Sequence, residues 1–501
     1  MIFDDTIAAI STPAGAGAIA IVRLSGTNAW TIAQKIFSPS GPTDSTDTPE
    51  MRSHTASHGF VKQPSTNNIV DEVVLIPYKG PHSYTGEDLV EINCHGSPYI
   101  TNALLDLCLS QGARLARPGE FTQRAFLSGR IDLTQAEAVL DLIHSRTGRQ
   151  SKQALSALTG EIGAQIEDVR NSLLELLSRV VAGIDFPEEV GEIPLDDVGT
   201  VVKAALDRLS ILARTVRSGR FLRQGLRLAI VGKPNAGKSS LLNQLLQFER
   251  AIVTDVPGTT RDSLEEQLDL HGIPVILVDT AGIRKTEDHV EQIGIERTYK
   301  TIESADLALL VTDVTTGWTT DDDLIAKMLA HVPYMVLANK IDLAADGAVF
   351  RSGSAGILPA PDQRPGSRSR VSASTTHETA ASSPVSAVST SAPQPSNETP
   401  LPISATSGRG IPELTAAIET WIFSDGRSKD AGASLNARQG ELCNRAIEAL
   451  QLVEETVRND MPQDCLATDL KTAVDCLSEI CGEAVSEEII SNVFARFCIG
   501  K

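Results

Sequence analysis

The sequence predicts an α/β multidomain protein: an N-terminal α+β module, an all-α helical domain, and a P-loop nucleotide domain inserted in the helical one. Three observations predict it. The apolar run Leu228-Ala-Ile-Val231 empties into Gly232-x-x-x-x-Gly237-Lys238-Ser239 and then a helical stretch, the strand–loop–helix pattern of a phosphate cradle. Apolar residues at helical spacing stand on both sides of that unit, over 122–217 and 436–501. Ahead of them, residues 1–117 alternate short β-rich runs with turns.

Within 1–117, Gly17–Gly26, Val70–Pro77 and Asp88–Asn93 read as strands, and Asn28–Phe37 and Ser97–Gln111 as helices. Ala14-Gly15-Ala16-Gly17 precedes its strand, whereas a dinucleotide fingerprint follows one, so a Rossmann reading is rejected. From 118 to 218 the period is helical: Leu133, Ala136, Val139, Leu140 and Ile143, then a break near Thr147-Gly148. A stripe from Leu155 through Leu158, Ile162, Ile166, Val169 and Leu173 to Leu177 follows, and then a helix over Leu195–Arg217. One stripe of a helix cannot bury itself. The segment 426–501 supplies partners, with helices over Arg438–Arg458, Leu466–Ile480 and Ser486–Phe497, so the nucleotide domain at 219–425 is an insertion. Within it, 344–400 is rich in Ser, Pro, Ala and Thr, includes Arg364-Pro-Gly-Ser-Arg-Ser-Arg370, and is predicted not to fold.

The chemistry of the inserted domain follows from residue types in order. Asn235, Ala236, Gly237, Lys238, Ser239 and Ser240 form the phosphate loop and helix start, where backbone N–H groups and the Lys238 charge meet phosphate oxygens. The Ser239 hydroxyl suits a Mg²⁺ shell. Val275-Ile-Leu-Val ends in Asp279-Thr280-Ala281-Gly282, whose carboxylate reaches Mg²⁺ through water and whose last N–H faces a γ-phosphate. Between these, Gly258-Thr259-Thr260 is a switch segment in which Thr260 ligates Mg²⁺. A third strand ends in Asn339-Lys340-Ile341-Asp342; the Asp342 carboxylate accepts from N1 and the 2-amino group of guanine, which adenine lacks. Ser404-Ala405-Thr406 is the last guanine-contacting loop. Together these make a Ras-like GTPase domain.

Composition sets bounds. A formal charge of −20 argues against a general nucleic-acid coat protein while leaving a local basic face open. Seven cysteines show neither a Cys-x-x-Cys pair nor metal-ligand spacing, so a reducing cytoplasm is the expected compartment. No signal-peptide pattern and no run of about 18 apolar residues is present, so no membrane span is expected.

Further stretches carry a resemblance. They are Thr12-Pro-Ala-Gly-Ala-Gly17 with Val22-Arg-Leu-Ser-Gly26, Ser83-Tyr-Thr-Gly-Glu-Asp-Leu-Val-Glu91 with Cys94-His-Gly96, and Arg117-Pro-Gly-Glu-Phe-Thr-Gln-Arg-Ala-Phe126. Asp132-Leu-Thr-Gln-Ala-Glu-Ala138, Ile184-Asp-Phe-Pro187 and Phe497-Cys-Ile-Gly-Lys501 complete the set. Essentially end to end, apart from 344–400, the chain resembles the tRNA uridine modification GTPase family, MnmE (TrmE). The resemblance implies a homodimer joined through a tetrahydrofolate-binding N-terminal domain. It also implies an FAD-carrying flavoprotein partner (MnmG, also GidA) in a heterotetramer or larger complex. Together they place an aminomethyl or carboxymethylaminomethyl group on C5 of wobble uridine 34 of tRNA. The methylene carbon comes from 5,10-methylenetetrahydrofolate, with 5-formyltetrahydrofolate as an analogue. The folate site maps onto Arg23, Glu87, Arg130 and Lys501. The family often carries Lys where Arg130 stands, and Arg adds a bidentate option.

Hydrolysis poses a problem, because Ile283 stands where many small GTPases place a water-orienting Gln. The resemblance assigns that task to Glu291 and the transition-state charge to K⁺, held by Asn235, Thr254, Val256 and Thr259. The intervening Asp255, Pro257 and Gly258 belong to the same nucleotide-contacting segment. Cys498 is a candidate for catalysis near the folate pocket, with a packing role as its alternative. The alternative function is a ribosome-assembly or RNA-binding GTPase switch without one-carbon chemistry. It predicts an RNA-binding module beside the GTPase domain, and no basic motif after Phe423 supplies one.

Overall fold

The computed structural model describes residues 4–40, 51–191, 193–248, 250–251, 266–278, 302–343, 400–424 and 432–501. The chain divides into two compact units. The first joins residues 1–145, 151–216 and 432–501; the second joins 146–150 and 217–431.

The first unit opens with a sheet in the order β3-β4-β5-β6-β2-β1-β7. Its strands are β1 (Thr6–Ile10), β2 (Ile19–Gly26), β3 (Phe37–Pro39), β4 (Ser57–Lys62), β5 (Ile69–Tyr78), β6 (Leu89–His95) and β7 (Arg114–Leu115). All neighbours run antiparallel except β1 and β7. Alternation decides the faces: Ala20, Val22 and Leu24 of β2 and Val90, Ile92 and Cys94 of β6 point into the core, where α1 (Ala29–Ile36) and α2 (Pro98–Ser110) cover them. Arg23 and Glu91, directly opposite in the β2–β6 register, therefore share the other face.

The chain then turns helical through α3 (Glu120–Leu127), α4 (Leu133–His144), α5 (Gly148–Leu158), α6 (Glu161–Asp185), α7 (Pro187–Val190), α8 (Leu195–Ala213) and α9 (Thr215–Gln224). α4 begins at a reciprocal cap, in which Asp132 accepts from Gln135 N and Gln135 Oε1 accepts from Asp132 N. The stripe expected to run on from Leu155 is split between α5 and α6. Gly160, at φ +87°, turns the chain there, and both helices still face one core, which hides the break from periodicity.

The nucleotide unit has a second sheet in the order β14-β13-β12-β8-β11-β10-β9. It comprises β8 (Leu226–Val231), α10 (Lys238–Phe248), β9 (Arg250–Ala251), β10 (Glu266–Leu270), β11 (Ile273–Val278), β12 (Leu307–Asp313), α11 (Thr320–Met328), β13 (Tyr334–Asn339), β14 (Leu401–Pro402) and α12 (Ile411–Ile422). β14 through β11 pair in parallel, and β12, buried at every position, reads as the apolar run that a doubly covered strand requires. Residues 146–150 belong to this unit through Thr147 Oγ1, which donates to Gly272 O, and Gln150 Nε2, which donates to Leu222 O at 2.7 Å.

The chain returns to the first unit as α13 (Ala437–Arg458), α14 (Asp464–Cys481) and α15 (Glu487–Phe494). α6, α8, α13 and α14 share one core that joins Leu173 and Leu209 to Leu450 and Leu477. The helices on either side of the insertion thus pack together, as expected. Residues 344–399 lie outside the described residues. The bundle is fastened at Glu137 of α4, which takes Arg438 Nε at 2.8 Å and Nη2 at 3.0 Å, plus Gln439 Nε2 at 2.6 Å. Removing the carboxylate leaves a mostly buried guanidinium without its counter-charge, with Glu479 O and Ile480 O as its remaining acceptors, a loss of about 3 kcal/mol. Glu137→Ala is therefore expected to lower the urea midpoint of the full chain, and an unchanged midpoint would show that the pair is not structural.

Candidate functional site

In the nucleotide unit, β8 delivers the chain into the phosphate loop, which is closed from behind by Asn339 at the end of β13. Asn339 is 2% exposed; its Nδ2 donates to Ala236 O at 2.8 Å and its Oδ1 accepts from Ala405 N at 2.9 Å. Three predicted nucleotide segments are thus brought together by one amide. Gly237, at φ +99°, lies so close to that amide that a Cβ there would collide with it. Lys238 Nζ is drawn across the loop, donating to Gly232 O at 2.8 Å and Lys233 O at 2.7 Å, and burial lowers its pKa. Lys233 is turned away toward Asp322 (2.8 Å) and Thr319 (3.0 Å), so of the loop's two lysines it is Lys238 that lies across the loop.

Lys340, at φ +68°, pairs with Asp313 at 2.7 Å, and Asp342 is exposed beside it, where its carboxylate is open to a base edge. Ser404 is buried, its hydroxyl sharing a 3.2 Å hydrogen bond with that of Thr406. Asn235, exposed at φ +60°, presents an uncommitted side chain on the loop, the donor chemistry that a monovalent cation needs. Ser239 and Ser240 open α10. Thr254 to Thr260, Asp279 to Gly282 and Glu291 lie outside the described residues.

The first unit carries a second site. Two cavities, of about 590 and about 460 Å³, meet at Arg23, Tyr84 and Arg130. The larger carries the polar side chains of His54, Tyr78, His82 and Glu91; the smaller has an apolar wall of Ile131, Val139, Leu142, Ile143 and Leu158, closed by Lys501. Arg23 donates to Glu91 Oε1 from both Nε (3.1 Å) and Nη2 (2.7 Å), and Tyr78 donates to Glu91 Oε2 at 3.3 Å. Burial, and then the charge of Arg23, lower the Lys501 pKa, while the nearby Cys498 and Glu91 act the other way. A flat heteroaromatic body with an acidic tail fits this donor set: an apolar slot, two guanidinium groups, an ammonium and one carboxylate.

Arg23, Arg130 and Lys501 therefore come together as the sequence suggests. Glu87 does not join them. Its carboxylate faces the almost fully buried Arg124 at 3.1 Å and accepts from Ser25 Oγ at 2.7 Å. The acid in the cavity is Glu91, four residues on. In–out alternation along β6 marked it as facing away from the core, but its partner Arg23 lies on another strand. Cys498 is exposed and lines neither cavity.

What places Lys501 is a strand-like contact between two stretches that sequence reasoning took separately. Gly119 N donates to Cys498 O at 3.3 Å, Phe121 N to Lys501 O at 3.2 Å, and Pro118 bridges Ile499. On the other side Ser11 Oγ donates to Gly500 O at 3.0 Å. Gly500, at φ +95°, abuts Ile10 O so closely that no side chain fits. The Arg117–Phe121 turn is held by Glu120, whose fully buried carboxylate takes Arg114 (2.5 and 2.8 Å), Arg117 N (2.8 Å) and Arg124 (3.2 Å).

Both folds and sites are now comparable with known proteins. The family described as MnmE helical domain matches residues 133–498, and that described as GTP-binding protein TrmE N-terminus matches 6–130. The chain belongs to the MnmE family. It is 39% identical to the tRNA modification GTPase MnmE of Acetivibrio thermocellus, covering 99% of each chain. It is 40% identical to that of Nostoc sp., covering 100% of each. Among solved structures, Aquifex aeolicus Era bound to GDP·AlF4⁻ matches with 24% identity and a TM-score of 0.24, over 45% of this chain and 67% of that one. As an MnmE-family chain, this protein is a GTP hydrolase of tRNA modification.

Burial alone would raise the Glu120 pKa, but Arg114, Arg117 N and Arg124 outweigh it and hold the carboxyl at about 2, below its usual 4.5. A depressed carboxyl contributes stability in full above its unfolded pKa and loses it as pH falls through the folded one. At about 1.4 kcal/mol per unit the contribution is about 3 kcal/mol. Acid unfolding of the wild-type chain should therefore steepen between about pH 4.5 and 2. Glu120→Gln should be less stable at neutral pH and show a flatter profile in that window; an unaltered profile would remove Glu120 from the acid response.

Proposed function

We propose that this MnmE-family chain carries out a folate-dependent modification of the wobble uridine of tRNA together with an FAD-carrying flavoprotein of the MnmG (GidA) type. The observation that carries the reading is the Arg23–Glu91–Arg130–Lys501 cavity, built in a unit separate from the GTP site. A bound 5,10-methylenetetrahydrofolate would supply a one-carbon unit there. Arg23, Arg130 and Lys501 bind its carboxylates, and Glu91 orients Arg23 while offering an acceptor to ring N–H groups. The apolar wall of Ile131, Val139, Leu142 and Ile143 excludes water from the flat ring system. The thiol of Cys498, exposed at the foot of the segment that carries Lys501, stands beside this pocket as a candidate for activity.

In the nucleotide unit, Lys238 and the phosphate-loop N–H groups bind the phosphates, and Asp342 selects guanine. Ser239 and Thr260 are the protein ligands we assign to Mg²⁺, and Glu291 orients the water that Ile283 cannot. The side chain of Asn235, with Thr254, Val256 and Thr259, would hold K⁺, whose charge takes the place of an arginine finger when two copies of this domain meet. A homodimer through the N-terminal domain, an assembly with the flavoprotein, and work in the cytoplasm belong to the same reading.

GTP turnover by the purified chain should be faster in KCl than in NaCl at equal ionic strength and should rise per molecule with protein concentration. Asn235→Ala should lose the difference between the salts; equal slow rates in the wild type would sink the potassium mechanism and favour a simple RNA-linked switch. Reconstitution with the flavoprotein, unmodified tRNA, GTP and an amine donor should yield product only when a tetrahydrofolate is supplied. Product formed at the same rate in folate-free protein would overturn the one-carbon assignment.

A further inference from the structure

The cavity guanidinium groups are positioned by more than Glu91. The Arg23 guanidinium carbon stands 5.3 Å from the centroid of the Tyr84 ring, and that of Arg130 stands 5.2 Å from the same centroid. Both distances are within the reach at which a cation is attracted to the ring quadrupole. Arg130 also donates from Nη1 to Tyr84 O at 3.0 Å. The ring itself is pinned: the Tyr84 hydroxyl shares a 2.9 Å hydrogen bond with the hydroxyl of Thr122, which is 0% exposed on α3. Arg23, Tyr84 and Arg130 are the residues common to both cavities, so this arrangement sits at their junction.

Two like charges do not settle side by side in a partly enclosed site without something between or beneath them. Glu91 answers for Arg23. No carboxylate ion pair holds Arg130 among the described residues; what it has is the Tyr84 ring and the Tyr84 carbonyl. We propose that Tyr84 is the positioning residue of the folate cavity: its ring holds the Arg23 and Arg130 guanidinium groups at the junction of the two chambers, so that both address the anionic end of one ligand. The proposal rests on the folate reading above. Tyr84 touches the ligand's partners and acts through them, so its contribution must depend on the presence of Arg130.

The test is a calorimetric titration of the full-length chain with 5-formyltetrahydrofolate, using wild type, Tyr84→Phe, Tyr84→Leu, Arg130→Gln and the Tyr84→Leu/Arg130→Gln double variant. Wild type should bind. Tyr84→Phe keeps the ring and should stay within about twofold, while Tyr84→Leu should bind about tenfold more weakly. In the Arg130→Gln background the Tyr84→Leu step should shrink to about threefold or less, because one of the groups the ring positions is gone. A full tenfold step in both backgrounds, a Tyr84→Leu variant that binds like wild type, or a Tyr84→Phe variant as weak as Tyr84→Leu would each overturn the positioning role. A cooperative melting transition of each free variant serves as the fold control; the variants that lose the Tyr84–Thr122 hydrogen bond should melt somewhat lower but still cooperatively. Should Tyr84→Leu fail to fold, Tyr84→Met takes its place with the same expectation. A wild-type chain that does not bind the folate overturns the folate reading and this proposal with it, whereas a binding wild type with an additive cycle overturns Tyr84 alone.

Discussion

The buried carboxylate of Glu120 is the interaction on which the first unit's site depends. It fixes the Arg117–Phe121 turn by accepting from three separate donors, and that turn offers Gly119 N and Phe121 N to the segment Cys498–Lys501. Without the turn, Lys501 has no reason to stand at the mouth of a cavity built by residues more than 340 positions earlier in the chain. Ser11 and the close approach of Gly500 to Ile10 complete the clamp from the first strand. The sheet, the helices and the last residues therefore form one compact unit although they are split by the whole nucleotide domain. Loop-closure entropy grows only logarithmically with length, so a long insertion costs such a unit little once its ends are fastened. They are fastened by Thr215 Oγ1, which accepts from Leu435 N at 3.0 Å.

Legibility in the sequence followed the range of each interaction. The phosphate loop was readable because its parts are contiguous: strand, glycines, lysine and helix follow within a few residues. The helices of 122–217 and 436–501 were readable because apolar spacing reports one buried face. Gly160 was not, because α5 and α6 keep the same side toward the same core and the stripe continues across the turn. Glu87, which the resemblance assigns to the folate site, and Glu91, which lines the larger cavity, are hard to tell apart from sequence for a similar reason. Both stand in one run of polar and apolar residues, and only the β2–β6 register puts Glu91 opposite Arg23. Glu87 is committed instead to Arg124. The contact between Arg117–Phe121 and Cys498–Lys501 was out of reach altogether. Each stretch was noticed by itself, but nothing in local composition says that one peptide segment donates hydrogen bonds to another so far along the chain.

Net charge was the poorest guide. At −20, the chain as a whole repels anions, yet a cavity lined by two guanidinium groups and an ammonium presents the opposite sign locally. Long-range charge acts through a screened field, whereas recognition in a partly enclosed pocket is set by groups within a few ångström of the ligand. Composition can therefore exclude a general polyanion coat without saying anything about a small anionic ligand.

The side chains lining the cavity bear on the anionic ligand proposed for it. Among the described residues lining the two cavities, Arg23, Arg130 and Lys501 carry cationic side chains and Glu91 the one side-chain carboxylate, so positive side-chain charge is in excess. Burial and the charge of Arg23 lower the Lys501 pKa, so its ammonium form is less favoured there than in water. A carboxylate entering the junction relieves that repulsion as well as forming hydrogen bonds, so its binding free energy includes the removal of a pre-existing cost. An aromatic ring is suited to the position between such cations. It attracts them through its face, demands no proton and carries no charge that would cancel theirs. A carboxylate in place of Tyr84 would satisfy Arg130 outright, and the excess that draws the ligand would be gone.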